Sequence, residues 1–149
     1  MKYKDRLKPV EFKVNFRDIN TTYRQGDIIY VDLRPVIGCE ENGIRPCVII
    51  QNNAGNTFSP TLIIAPISKN LSKKAKKKKM PTHYFIEDYK KLGLKFESYI
   101  LFEQIKAIDK SRVQEKIGHI DPKRFVVPLV VNFFGKKVKG LENELVRLL

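Results

Sequence analysis

Two apolar runs rich in β-branched residues, PCVIIQ (46–51) and TLIIAPIS (61–68), flank a stretch of turn-formers, NNAGNTFSP. Valine, isoleucine and threonine have stiff side chains that suit a pleated, packed surface, whereas asparagine, glycine, serine and proline interrupt it. The same pattern recurs along the chain. VEFKVNFR (10–17) alternates apolar and polar side chains, as a half-buried strand does, and Asp18–Thr22 reads as a turn. DIIYVDL (27–33) is stopped by Pro35 and Gly38, and a polar loop, CEENGI (39–44), follows. THYFIED (82–88) and SYILFEQIKAI (98–108) add two more strands. Five or more short strands with short links predict a compact, mostly antiparallel barrel or curled sheet.

The period changes toward the C-terminus. Asp109 is a good N-cap for a short helix through Lys116, because its carboxylate can accept orphan backbone N–H bonds. Asp121-Pro122 repeats the start signal with proline at the first helical position. The apolar run Phe125–Phe134 then suits a helix packed on the barrel, bent or shortened at Pro128. Gly135 and Gly140 bracket a basic link to a last short helix, LENELVRLL. With 149 residues and no internal repeat, one domain is expected over 24–149, preceded by an extension over 1–23.

Composition narrows the function classes. No apolar run approaches the roughly eighteen residues of a membrane helix, and MKYKDRLKPVEFKV lacks the apolar stretch of a secretory signal. The expectation is a cytoplasmic protein with no membrane association. Cys39, Cys47, His83 and His119 show no short-spaced pairs, so no zinc site is expected and both cysteines read as free thiols. The net charge of +13 is unevenly spread: residues 69–79 carry seven lysines and no acid, whereas 80–121 balance at seven and seven. A lysine block is a solvated loop, or else an electrostatic funnel for a polyanion whose phosphates it neutralises.

Several polar residues stand where chemistry could collect. Pro46 fixes the chain entering the strand 46–51 and therefore fixes where Arg45 projects. Ser68 ends the strand 61–68, and if the two strands are neighbours, Arg45 and Ser68 share a rim. Glu40 and Glu41 lie a few residues earlier, where a carboxylate near an arginine suits a general base. Phe58, in the turn, reads as a core plug or a base-stacking surface. His83 and His119 share no spacing that makes a ribonuclease-like pair.

Taken in order, these residues resemble the MazF/PemK toxins. RQGDIIYVDLRPVIGCEENGIRPCVIIQNNAGNTFSPTLIIAPIS (24–68) follows that family's order of RGD, strand, GSE-type loop, G-x-RP and a strand ending in threonine or serine. MPTHYFIE (80–87) and SYILFEQIKAIDKSRVQEKIGHID (98–121) match further, especially at Glu103-Gln104 and IDK. The resemblance spans roughly 24–134, with Cys39 in place of the loop serine and Ser68 in place of the commoner threonine.

The resemblance implies a mostly β fold with added α. It would be a small SH3-like barrel of the MazF/PemK/CcdB kind, with a C-terminal helix packed on it and a homodimeric assembly. It implies the toxin of a type II toxin–antitoxin pair, with an acidic antitoxin as partner. Its activity would be sequence-specific, ribosome-independent cleavage of single-stranded mRNA, without metal or other cofactor. Arg45 and Ser68 fall on the family's catalytic arginine and hydroxyl, and Glu40 on its loop carboxylate. Asn52, Phe58 and Gln104 fall on positions near RNA, and Lys73, Lys74, Lys76 and Lys77 would draw in the backbone. In such a reaction the RNA's own 2′-hydroxyl attacks phosphorus, leaving a 2′,3′-cyclic phosphate and a 5′-hydroxyl. The protein need only stabilise the charged transition state. The alternatives are a gyrase-poison-like toxin on the same barrel and a non-catalytic RNA-binding module.

Overall fold

The computed structural model describes residues 22–35, 43–69 and 83–134. Glu40 and Glu41, the lysines of 73–79, the strand expected at 10–17 and the helix expected at 141–149 lie outside the described residues.

Seven strands form one antiparallel sheet: β1 (Asp27–Asp32), β2 (Ile44–Ile49), β3 (Thr61–Lys69), β4 (His83–Ile86), β5 (Ser98–Leu101), β6 (Lys106–Asp109) and β7 (Val113–His119). Their order is β4-β5-β3-β2-β1-β7, with β6 also paired to β3. β3 is therefore the hub. Its start pairs with β6 (Thr61 opposite Asp109) and its end with β5 (Ile67 opposite Ile100), while β2 occupies its other edge. The set β7-β1-β2-β3-β6 curls as a barrel does but is not closed by pairing between β6 and β7.

Both faces of β2 and β3 are covered, which explains why their sequences are continuously apolar rather than alternating. Inside the curl, Ile29, Val31, Leu33, Cys47, Ile49, Leu62, Ile64 and Ile108 form one core. Behind the sheet, Val48, Ala65, Ile67, Ile86, Ile100 and Phe102 form a second with Phe125, Val126 and Leu129. The last three belong to helix α2 (Lys123–Phe134), which starts as expected: the Asp121 carboxylate accepts from Lys123 N at 3.0 Å. The helix runs on through Pro128 without being cut short. Burial of its apolar stripe, at about 1.5–3 kcal/mol per large side chain, outweighs one missing backbone bond.

Three sequence expectations are corrected. Asp109 does cap, accepting from Ser111 N at 2.8 Å, but it caps a single 3-10 turn (Lys110–Arg112) instead of a helix through Lys116. The chain then becomes β7, because pairing with β1 from Asp27 opposite His119 to Val31 opposite Val113 outweighs local helix preference. The stretch after β2 is a short helix, α1 (Asn53–Phe58), rather than a plain turn. The run 98–108 is broken by a 3-10 turn at Phe102–Gln104. Continuing the β5 register would set Ile64 opposite Glu103, yet Ile64 faces Lys106. The 3-10 turn absorbs those three residues as the chain steps along β3.

Candidate nucleic-acid cleavage site

Arg45 and Ser68 meet at the end of the β2–β3 pair. The β2–β3 ladder ends with Cys47 opposite Pro66, and Arg45 and Ser68 each lie two residues beyond that last pair. Both are half-buried, and both line a cleft of about 310 Å³ that opens at these strand ends. Ile44 and Pro46 from β2, with Ile67 and Lys69 from β3, make its floor, and Tyr30 of β1 adds a phenol. The opposite wall is Leu94, Lys95 and Phe96, in the link before β5. Among the described lining residues, three are cationic and none is acidic. In a concave, partly dehydrated site such a set focuses positive potential on whatever phosphate enters.

Lys69, Lys95, Phe96 and Tyr30 were not anticipated from sequence. Lys69 Nζ lies 4.7 Å from the centroid of the Phe96 ring, a cation–π contact tying the end of β3 to the link. Phe96 is nevertheless 54% exposed, so it offers a ring edge to the cleft. The link is seated from behind. A 3-10 turn at Tyr89–Leu92 ends on Gly93, which has φ of 80°, and Gly93 rests on Ile117 and Gly118 of β7. Asp88, at the head of that turn, takes a two-pronged ion pair from Arg124 of α2, with both contacts at 2.8 Å. The Arg124 guanidinium holds the Asp88 carboxyl below its ordinary range, and Asp88 in turn raises Arg124. The link LGLKF (92–96) carries no periodic signal, so only the contact of Gly93 with Gly118 could have revealed it.

Behind the cleft, the exit of β1 is fixed by another arginine pair. Arg34 donates to both Asp32 oxygens (2.9 and 2.7 Å), and this hydrogen bonding lowers the Asp32 carboxyl from its ordinary value. Arg112 reaches across to the backbone carbonyls of Asp32 and Arg34. The chain is thus clamped where it leaves for the segment holding Glu40.

The remaining expected site residues fall elsewhere. Asn52 is the N-cap of α1, accepting from Gly55 N at 2.8 Å, and Phe58 at the other end of α1 is 87% exposed. Both lie at the Thr61 end of β3, and along that strand Thr61 and Ser68 are about 23 Å apart at roughly 3.3 Å per residue. Gln104 lies in the step between β5 and β6 and does not line the cleft. The histidines are apart, as expected. His83 Nε2 donates to Glu103 at 2.7 Å, while His119 Nδ1 donates to buried Asp27 at 2.9 Å, where Lys116 also pairs. Among the described residues, no three His, Cys, Asp or Glu side chains gather as a metal-ligand set. No helix among them is long and apolar enough to cross a membrane.

An antiparallel sheet of this order, covered by α2, is the fold of the MazF-type toxins. Crystallised MazF of Deinococcus radiodurans superposes with a TM-score of 0.61 at 17% identity, over 77% of this chain and 98% of that one. An endoribonuclease solved with its cognate antitoxin from a mycobacterial species gives 0.57 at 16%, over 76% and 95%. Sequence makes the assignment specific: residues 24–126 match the PemK-like, MazF-like toxins of type II toxin–antitoxin systems, and the chain belongs to that family. It is 47% identical over 98 residues to Endoribonuclease EndoA of Bacillus subtilis, covering 66% of this chain and 80% of that protein. It is 46% identical over 101 residues to Endoribonuclease MazF of Staphylococcus saprophyticus, covering 68% and 80%.

Proposed function

We propose that this toxin cuts single-stranded RNA at a short base sequence by transesterification, with Arg45 and Ser68 as the pair that grips the scissile phosphate. It is an endoribonuclease, as identity of 45–47% with proteins of that name supports. The observation that carries the finer reading is that Arg45 and Ser68, from the ends of neighbouring strands, line one cleft together with Lys69 and Lys95.

The 2′-hydroxyl next to the scissile bond supplies the nucleophile. As it attacks, charge accumulates on the non-bridging phosphate oxygens, and donors already aimed at them lower the barrier. Arg45 offers a planar cationic fork that binds two such oxygens at once. The Ser68 hydroxyl donates one further bond. Lys69 and Lys95 hold the flanking phosphates. Glu40 takes the 2′-hydroxyl proton, carried there by the segment that Arg112 and Arg34 anchor. The lysines of 73–79, including Lys73, Lys74, Lys76 and Lys77, gather RNA from solution. The protein works as a cytoplasmic homodimer and is silenced by an acidic antitoxin, a partner class supported by the solved complexes of structural neighbours.

The test is incubation of purified protein with a long RNA of known sequence, with and without EDTA, followed by mapping of 5′-hydroxyl ends. Cleavage at a recurrent short sequence should persist in EDTA, and Arg45→Ala should slow it by at least about a hundredfold, the size of one lost oxyanion donor. Intact RNA, or cleavage insensitive to Arg45→Ala, refutes the assignment.

A further inference from the structure

One row of residues runs from the cleavage pair across the rest of the sheet. Ser68 of β3 stands opposite Tyr99 of β5, and Tyr99 stands opposite Phe85 of β4. At its other end the row starts at Ser68, which lines the same cleft as Arg45. Residues facing one another on neighbouring strands project to the same side of a sheet. Their alternates Ile67 and Ile100 are buried in the core behind it, so Ser68, Tyr99 and Phe85 face away from that core. At about 4.8 Å per strand, Tyr99 and Phe85 lie roughly 5 and 10 Å from Ser68 along the row.

These aromatic residues form a continuous surface. The Phe85 and Tyr99 rings are 5.1 Å apart, and His83 adds a third ring 5.8 Å from Tyr99. Phe85 is 36% exposed, and Tyr99 and His83 are half-buried. The nearby Glu103 carboxylate is occupied by His83. An outward-facing aromatic shelf costs a lone domain exposed apolar area, and it suits a ligand with flat faces.

We propose that Tyr99 and Phe85 are positioning residues that stack the bases next to the scissile phosphate. Resting on the assignment of Arg45 and Ser68 as the cleavage pair, the shelf holds the strand in register while that pair engages the phosphate. Stacking uses the face that every base shares, so the shelf contributes affinity and alignment without choosing a base sequence. The occupant is single-stranded nucleic acid because the shelf adjoins Ser68, which lines a cleft with three cations, and a paired duplex does not present its base faces.

The test compares two probes of equal length, a mixed-sequence single-stranded DNA and an abasic strand with the same phosphates, by fluorescence anisotropy. Wild type should prefer the base-bearing strand by about 5- to 150-fold per stacked base. Tyr99→Leu and Phe85→Leu should each lose that preference, whereas Tyr99→Phe and Phe85→Tyr, which keep a ring, should retain it. The salt dependence should stay as in wild type, since no charge is removed. With no tryptophan in the chain, quenching of tyrosine emission on binding should shrink in Tyr99→Phe. Leucine variants that still discriminate overturn the proposal. So does a loss of affinity accompanied by a changed sedimentation state, which would assign the shelf to a second copy of the chain. The wild-type sample is also assayed for RNA cleavage. If RNA is cut while the leucine variants discriminate normally, the shelf falls and the cleavage assignment stands. If RNA stays whole while they lose discrimination, the shelf stands and the cleavage assignment falls.

Discussion

Replacing Gly118 by alanine should damage the cleft from behind. A β-carbon there would overlap the Leu92 carbonyl oxygen and stand 2.7 Å from its carbon. Ordinary carbon contacts begin near 3.5 Å, so the carbon alone demands a retreat of about 0.8 Å and the closer oxygen demands more. Overpacking of this kind costs about 1–3 kcal/mol, partly offset by about 0.4–1 kcal/mol from the less flexible unfolded chain. Gly93→Ala meets the same wall from the other side and adds left-handed strain at φ of 80°, about 1–2 kcal/mol more. Gly43→Ala is the control: its φ is 79°, but a β-carbon meets nothing within 4 Å among the described residues. At about 2–4 °C per kcal/mol for a chain of this size, melting followed by circular dichroism should fall most in Gly93→Ala, by about 4–16 °C. Gly118→Ala should follow, and Gly43→Ala should fall least. The link carrying Lys95 and Phe96 moves with the turn, so folded Gly118→Ala should also cleave RNA about tenfold to a hundredfold more slowly. If Gly118→Ala melts no lower than Gly43→Ala, the proposed packing of the link on β7 is wrong.

Three further outcomes are expected. Lys95→Gln and Lys69→Gln should each flatten the dependence of log affinity for single-stranded DNA on log salt by about 0.7, one phosphate contact apiece; an unchanged slope removes that lysine from the backbone path. Asp88→Asn should lower the melting temperature at pH 7, and the difference from wild type should shrink as acid takes the pH through the lowered titration of this carboxyl. The Arg124-paired carboxyl titrates below its ordinary 3.8, so its contribution is present above that value and fades as acid protonates the folded form; a difference that does not shrink in acid would show that charge is not the cause. Asn52→Ala should cost about 0.5–2 kcal/mol through the lost cap of α1, while Asn52→Asp should not. Equal melting of all three proteins would mean that the cap contributes nothing measurable.

How much was legible in the sequence follows from which forces are local. The apolar runs at 27–33, 46–51 and 61–68 became β1, β2 and β3 nearly residue for residue, because burial on both faces leaves a composition no turn would carry. Arg45 and Ser68 were legible too, since proline, strand and strand end fix them by short-range geometry. The segment after Asp109 was misread because QEK favours a helix in isolation and only the β1 edge makes it a strand. Lys95 and Phe96 were invisible for the same reason: a glycine-to-glycine contact 25 residues apart brings them to the cleft. Tyr99 and Phe85 read as ordinary strand aromatics until the register placed them beside Ser68.

The two cores that meet back to back on β3 have a consequence for how the cleft responds to change far from it. The strand pair that ends in Arg45 and Ser68 gives Cys47, Ile49, Leu62 and Ile64 to one core and Val48, Ala65 and Ile67 to the other. A large-to-small substitution in either core, at about 2–5 kcal/mol, therefore loosens the same two strand ends. Even α2 is tied to them, because Phe125, Val126 and Leu129 complete the second core.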